Sequence, residues 1–283
     1  MMRWWLARYR QIASAWVMWR IVAFFGALLI LWLPFGLLTY GLGALFGHSQ
    51  ATDTLAVVTL YGCFIGNAWI WGRWIHRWQR PFYTYGLVAD GRFVGNLAIA
   101  LPVGFSLVCL LFGAQVLLGW AESYPRPLAA IALEGLAVGL GVGLAEEVLF
   151  RGWLLAELQI GLPRSQAIFW SSVIFAIAHF IKPLPEILQT SPQFLGLVLL
   201  GMLLAAARHI SLGSRFTSLG LPIGLHAGLV WGYYIVDVAD LVVPSSQVPA
   251  WVTGIHGNPL SGVLGIGILA CLTVLAGLRL RSK

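Results

Sequence analysis

Eight long apolar runs leave this chain few ways to fold. They fall at about residues 21–45, 52–72, 94–120, 128–150, 166–181, 193–210, 219–236 and 259–278. A hydrocarbon core about 30 Å thick is crossed by roughly 20 helical residues, and a helix satisfies its own backbone hydrogen bonds where no water is at hand. The expected fold is therefore all-α, a polytopic membrane protein with about eight transmembrane helices. Composition agrees, with 59% hydrophobic and only 10% charged residues and a mean hydropathy of +0.86, far from the usage of soluble domains.

The net charge of +7 is explained by orientation better than by nucleic acid. Arg3, Arg8, Arg10 and Arg20 precede the first run, and Arg73, Arg77, Arg80 and Arg92 follow the second. Arg164, Arg208, Arg215, Arg279, Arg281 and Lys283 fall on the same side, against Arg126 and Lys182 on the other. By the excess of Lys and Arg in cytoplasmic loops, both termini are expected in the cytoplasm or on the equivalent side of an internal membrane. The tryptophans interleaved with arginine over residues 1–20 fit an interfacial helix, with their rings at headgroup level. The first run is long and ends in no small-residue cleavage pattern, so it reads as a retained span. Cys63, Cys109 and Cys271 all lie in apolar runs and offer no disulfide framework.

The organisation expected is an interfacial helix over 1–20, three spans over 21–120, a catalytic core over 125–240, and an outer loop with the last span over 241–283. Charge at depth is concentrated in that core. Glu146, Glu147 and Arg151 sit in a glycine-rich apolar stretch, and burying each such charge costs ~2.5–3.5 kcal/mol at a bilayer centre unless it is paired. On a helix Glu147 and Arg151 are i,i+4 neighbours able to form an ion pair, while Glu146 points about 100° away toward a different cavity. Gly135, Gly139 and Gly143 form a small-residue stripe that admits a neighbouring backbone, which places the charges at a helix interface.

The fifth run carries Phe175 and His179 on one face, and the seventh carries His226. Pro222 and Gly224 suggest a loose first turn there, with backbone N–H groups available beside His226. The sixth run, near 194–206, has no ionisable residue and reads as packing. A carboxylate and an imidazole sharing a water can deprotonate it, and a second imidazole can stabilise the oxyanion formed when that water attacks an amide. No serine or cysteine sits beside a histidine at motif spacing, so an acyl-enzyme is less attractive.

Glu146-Glu147-x-x-x-Arg151, then Phe175-x-x-x-His179, then His226 resembles the three motifs of the CPBP family. These are type II CAAX prenyl endopeptidases and bacterial relatives linked to bacteriocin processing and self-immunity, the lysostaphin-resistance-like proteins. The resemblance covers about residues 125–240, and eight spans agree with that family's fold. It implies Glu146 as general base, His179 as holder of the same water, Glu147 and Arg151 as support, Phe175 shaping the site, and His226 in the oxyanion hole. It departs at Val230, where the family commonly has Asn or Asp. The substrate implied is a peptide or membrane-anchored protein, with the lipid bilayer as the other partner and no nucleic acid; nothing fixes the oligomeric state. No cofactor is expected. Zinc is the alternative, since Glu plus two His is a plausible metal set, but the spacing lacks the helical His-Glu-x-x-His geometry. Two other classes stand beside the protease: a catalytically impaired membrane scaffold or immunity protein of the same family, and a transporter.

Overall fold

A computed structural model describes residues 12–13, 15–88, 90–210, 218–245 and 247–281. The interfacial reading of residues 1–20 thus falls mostly outside the described residues. The chain divides into two units, Met1–Thr84 and Tyr85–Lys283.

The first unit is a helical hairpin of α1 (Val17–Phe46) and α2 (Gln50–Ile75), the latter ending in a π-helical turn over Trp71–Ile75. The two helices are joined by a short connection in which Ser49 and Thr52 cap α2 reciprocally, satisfying donors that have no helical partner. The buried Asn67 amide donates to the Phe24 carbonyl at 3.1 Å, and the Phe24 ring meets Phe64 and Trp71 edge-on. Arg20, expected among the flanking cations, is buried and donates to the Ala15 carbonyl at 2.7 Å.

The second unit holds six helices of fifteen residues or more. Helix α3 (Gly91–Leu117) starts where the Asp90 carboxylate accepts from the Phe93 N–H, and it passes through Pro102 without ending. Helix α4 (Ala129–Glu147) continues through a π-helical stretch, Val148–Leu154, into a last α-helical segment, Leu155–Gly161. Then come α5 (Arg164–Ala178), α6 (Phe194–His209), α7 (Gly220–Val238) and α8 (Val263–Arg281). Short strands β1 (Ala121–Ser123) and β2 (Val242–Pro244) pair antiparallel and tie the α3–α4 connection to the α7–α8 connection.

Among the described residues, seven helical segments are long and apolar enough to cross a membrane. The exception is α5, whose fifteen residues reach only about 22 Å. It stops at Ala178, three residues before the expected end. The His179 ring bonds the Phe175 carbonyl at 2.8 Å while its N–H turns back to Ala176. The side chain thus caps its own helix, and a short helix, Leu184–Thr190, starts afresh after Pro183 with Pro185 in its first turn, where proline is tolerated.

Helix α7 is the centre of this unit, packed between α3 and α4. Gly135, Gly139 and Gly143 of α4 are buried against it, and a methyl on Gly139 would stand 2.5 Å from the Ala227 carbonyl oxygen. On the α3 side of α7, Gly220, Gly224, Gly228 and Gly232 form a second stripe in which a methyl would strike Phe93, Leu97, Leu101 and Val108 respectively. In lipid, where tails are as apolar as leucine, such close backbone approach is what holds helices together. The indole of Trp231 adds a bond to the Ala132 carbonyl at 2.8 Å. Helix α7 is regular from Gly220 onward. Gly224 is therefore already inside the helical ladder, and the expected loose turn with free N–H groups beside His226 is not present.

Candidate active site

The adjacent carboxylates of α4 face different surroundings, as a 100° step on a helix requires. Glu147 and Arg151 are both fully buried, and the guanidinium Nη1 donates to Glu147 Oε1 at 2.8 Å. Nη2 reaches the Gly201 carbonyl of α6 at 3.3 Å, and the guanidinium lies 4.2 Å from the centroid of the Phe175 ring. One arginine thereby joins α4, α5 and α6 through an ion pair, a backbone bond and a cation–π contact. Glu147 Oε1 also accepts from Nδ1 of His226 at 2.8 Å. This contact, between residues 79 apart in sequence, brings α7 to the same point.

Glu146 is less enclosed, with 29% of its side chain exposed. Its Oε2 accepts no hydrogen bond from the described residues. It stands 3.9 Å from His179 Nε2 and 4.0 Å from His226 Nε2. Each imidazole uses its other nitrogen elsewhere: His179 Nδ1 bonds Phe175, and His226 Nδ1 bonds Glu147. Those bonds fix the rings and turn both Nε2 atoms toward Glu146. The buried Phe175 ring packs edge-on against both imidazoles, at 4.6 Å from His179 and 6.2 Å from His226. All six residues singled out in the sequence thus come together from three helices.

This cluster opens on a cavity of about 310 Å³ whose other walls are mostly leucine and valine. Val230 lines it one turn beyond His226, as does Tyr233, whose hydroxyl donates to Asp237 at 3.3 Å. Two walls come from outside residues 125–240: Leu107, Val108 and Leu111 of α3, and the segment from Asn258 to Leu272 ahead of and along α8. Among the described residues no group of three His, Cys, Asp or Glu is placed to hold a metal ion.

Three features escaped the reading of the sequence. Arg208, expected as a flanking cation, is buried and donates to the Gly152 carbonyl at 3.2 Å, so α6 is not free of charge at depth. Glu157 is likewise buried near the end of α4. The glycine stripe of α7 repeats at the same i,i+4 spacing as that of α4, so the same criterion finds it.

The fold is that of an integral multi-pass membrane protein with a charged cluster at a helix junction. Residues 127–232 match the family model described as type II CAAX prenyl endopeptidase Rce1-like, a likeness that covers less than half of the chain. The family so described is one of endopeptidases, which are hydrolases. The match runs from the start of α4 through most of α7, leaving α3 and α8 outside it. No curated protein and no solved structure matches the chain.

Proposed function

We propose that the protein hydrolyses a peptide bond of a peptide or membrane-anchored protein at the membrane, with Glu146 as general base. The observation that carries this reading is the position of Glu146 Oε2, about 4 Å from two fixed imidazole nitrogens at the edge of an aliphatic cavity. One water fits such a spacing. His179 holds that water and Glu146 takes its proton as the oxygen attacks the amide carbon. As that bond forms the carbonyl oxygen becomes an oxyanion beside His226; its collapse re-forms the C=O and breaks the C–N bond, and Glu146 delivers the proton to the leaving amine. Because His226 Nδ1 faces a carboxylate, its Nε2 donates to that oxyanion only when the ring carries two protons. Glu147 and Glu146 supply the countercharge, so the four groups Glu146, Glu147, Arg151 and imidazolium sum to zero in an apolar surrounding. The reading is metal-free, zinc being the competing one, and it puts both termini on the cytoplasmic side.

Val230 favours a second reading, a catalytically impaired scaffold or immunity protein, because valine donates no hydrogen bond to an oxyanion. The two separate on one measurement. Purified protein is given a peptide library, and wild type is compared with Glu146→Gln. Cleavage by wild type and none by a folded Glu146→Gln protein is expected, since the amide keeps the shape and loses the base. Equal cleavage by both sinks the general-base assignment, and cleavage by neither supports the scaffold.

A further inference from the structure

The cavity at Glu146 has two amide side chains in its wall, Gln193 and Asn258, and no lysine or arginine. Gln193 belongs to a turn, Ser191–Gln193, that packs on the turn Pro259–Ser261. Their level in the cavity follows from helix contacts. Helices α5 and α6 pair with Gly201 against Ser172 and Phe194 against Phe180. That antiparallel register sets His179 level with the start of α6, beside Gln193. Gly196, within the first turn of α6, abuts the Leu260 carbonyl so closely that no Cβ fits. Both amides therefore lie at the height of His179 and not at the far end of the cavity.

Asn258 is held by its neighbours at every other hydrogen-bonding atom. Its N–H donates to the Ile255 carbonyl at 3.2 Å and its own carbonyl accepts from Ser261 Oγ at 2.7 Å. Its Oδ1 accepts from the Leu260 N–H at 2.9 Å, a contact that fixes which end of the amide is oxygen. The loop around it is tightly made: Gly254, at φ +137°, leaves no room for a Cβ against the Asn258 carbonyl. A Cβ on Gly265 would strike Pro259, and His256 takes the left-handed conformation at φ 55°. A chain that only had to join α7 to α8 needs none of this. Of the polar atoms of this cavity-lining residue, the Nδ2 amino group is left to meet a ligand.

We infer that Asn258 and Gln193 form a clamp for the main chain of an extended substrate peptide, Asn258 donating to a peptide carbonyl and Gln193 bonding a neighbouring peptide group. This rests on the endopeptidase reading and adds what the site recognises. A peptide entering an aliphatic cavity loses water from its N–H and C=O groups, and each left unpaired is costly. Neutral amides replace that water without introducing charge. The aliphatic walls of α3 and α8 remain for side chains, so main-chain recognition sits with the two amides. Both are positioning residues.

The test uses full-length protein and the library peptide that wild type cleaves fastest, with binding measured on Glu146→Gln protein. Asn258→Asp keeps an oxygen for the Leu260 N–H and removes the donors. Asn258→Ser also keeps an acceptor without adding charge and stands in if the aspartate variant does not fold. The expected result for either, and for Gln193→Leu, is KM raised roughly tenfold with kcat within about threefold, and weaker retention of the peptide by the Glu146→Gln protein. Unchanged KM and retention beside intact wild-type cleavage overturn the clamp alone. A fall in kcat with KM unchanged also overturns it, because the group would then act on the transition state. If wild type cleaves no peptide and the Glu146→Gln protein retains none, the endopeptidase reading and the clamp both fall.

Discussion

Glu147 and Arg151 show what a single buried charge costs when its partner goes. Glu147→Gln leaves the guanidinium with no anion at 2.8 Å and removes the carboxylate from His226. A loss of about 3–5 kcal/mol is expected for a fully buried pair, read as a lower thermal midpoint and poorer yield in detergent. Charge in apolar sequence made this pair legible, because the cost of burial drives opposite charges one helical turn apart to find each other. The contact of Glu147 with His226 was not legible, since it joins helices far apart in sequence and depends on how α7 is rotated. Val230 is the other informative residue. It lines the same cavity as His226, and in the proposed mechanism an asparagine there places an N–H where the oxyanion forms. Removing one such donor from an enzyme costs roughly 2.7–4 kcal/mol, which bounds the gain. Val230→Asn is expected to raise turnover, or to confer cleavage if wild type shows none, and to do nothing beside Glu146→Gln. Lower activity in a well-folded variant would show that the cavity already uses the volume of that side chain.

Among the elements, α7 is held closely on both sides, through its own glycines where it meets α3 and through the glycines of α4 where it meets α4. Gly228→Val is expected to abolish the folded state, since even one methyl at that position meets the Leu101 carbonyl. Gly141→Val on α4, where a Cβ would have nothing within 4 Å of it, is expected to leave the monodisperse fraction on size exclusion unchanged. Similar losses for both would mean that helix propensity and not close approach governs these glycines. The stripe on α4 is legible in the sequence beside its charges, whereas that on α7 has the same spacing and no charged neighbour to draw attention to it. Helix ends were harder. Arg208 sits one residue from the end of α6, where a cation ordinarily reaches water, and only the packing of α6 on its neighbours buries it.

For the molecule as a whole, the apolar runs made the helices legible, seven of the segments among the described residues being long enough to cross a membrane and α5 falling short, while the boundary of the site was not legible. The walls supplied by α3 and α8 carry no charge or motif that marks them, and Asn258 acquires its place only through the turn that follows α7. Cleavage is expected to survive exhaustive dialysis against a strong chelator, because the proposed mechanism has the water held directly by Glu146 and His179. Activity that vanishes with chelation and returns specifically with zinc would establish the metal reading. The π-helical stretch Val148–Leu154 has a consequence at this scale as well. A π turn holds about one residue more than an α turn, so the wide stretch absorbs a residue without turning the chain beyond it out of phase with Glu146. Taking out one residue there and closing the turn to α spacing leaves Leu155 onward facing nearly as before. The same deletion within the regular α segment Ala129–Glu147 swings one side of the helix against the other by about 100°. Two relatives one residue apart in length would look alike in composition and span count, and where the residue was lost decides whether Glu146 keeps its register with the helices packed around it.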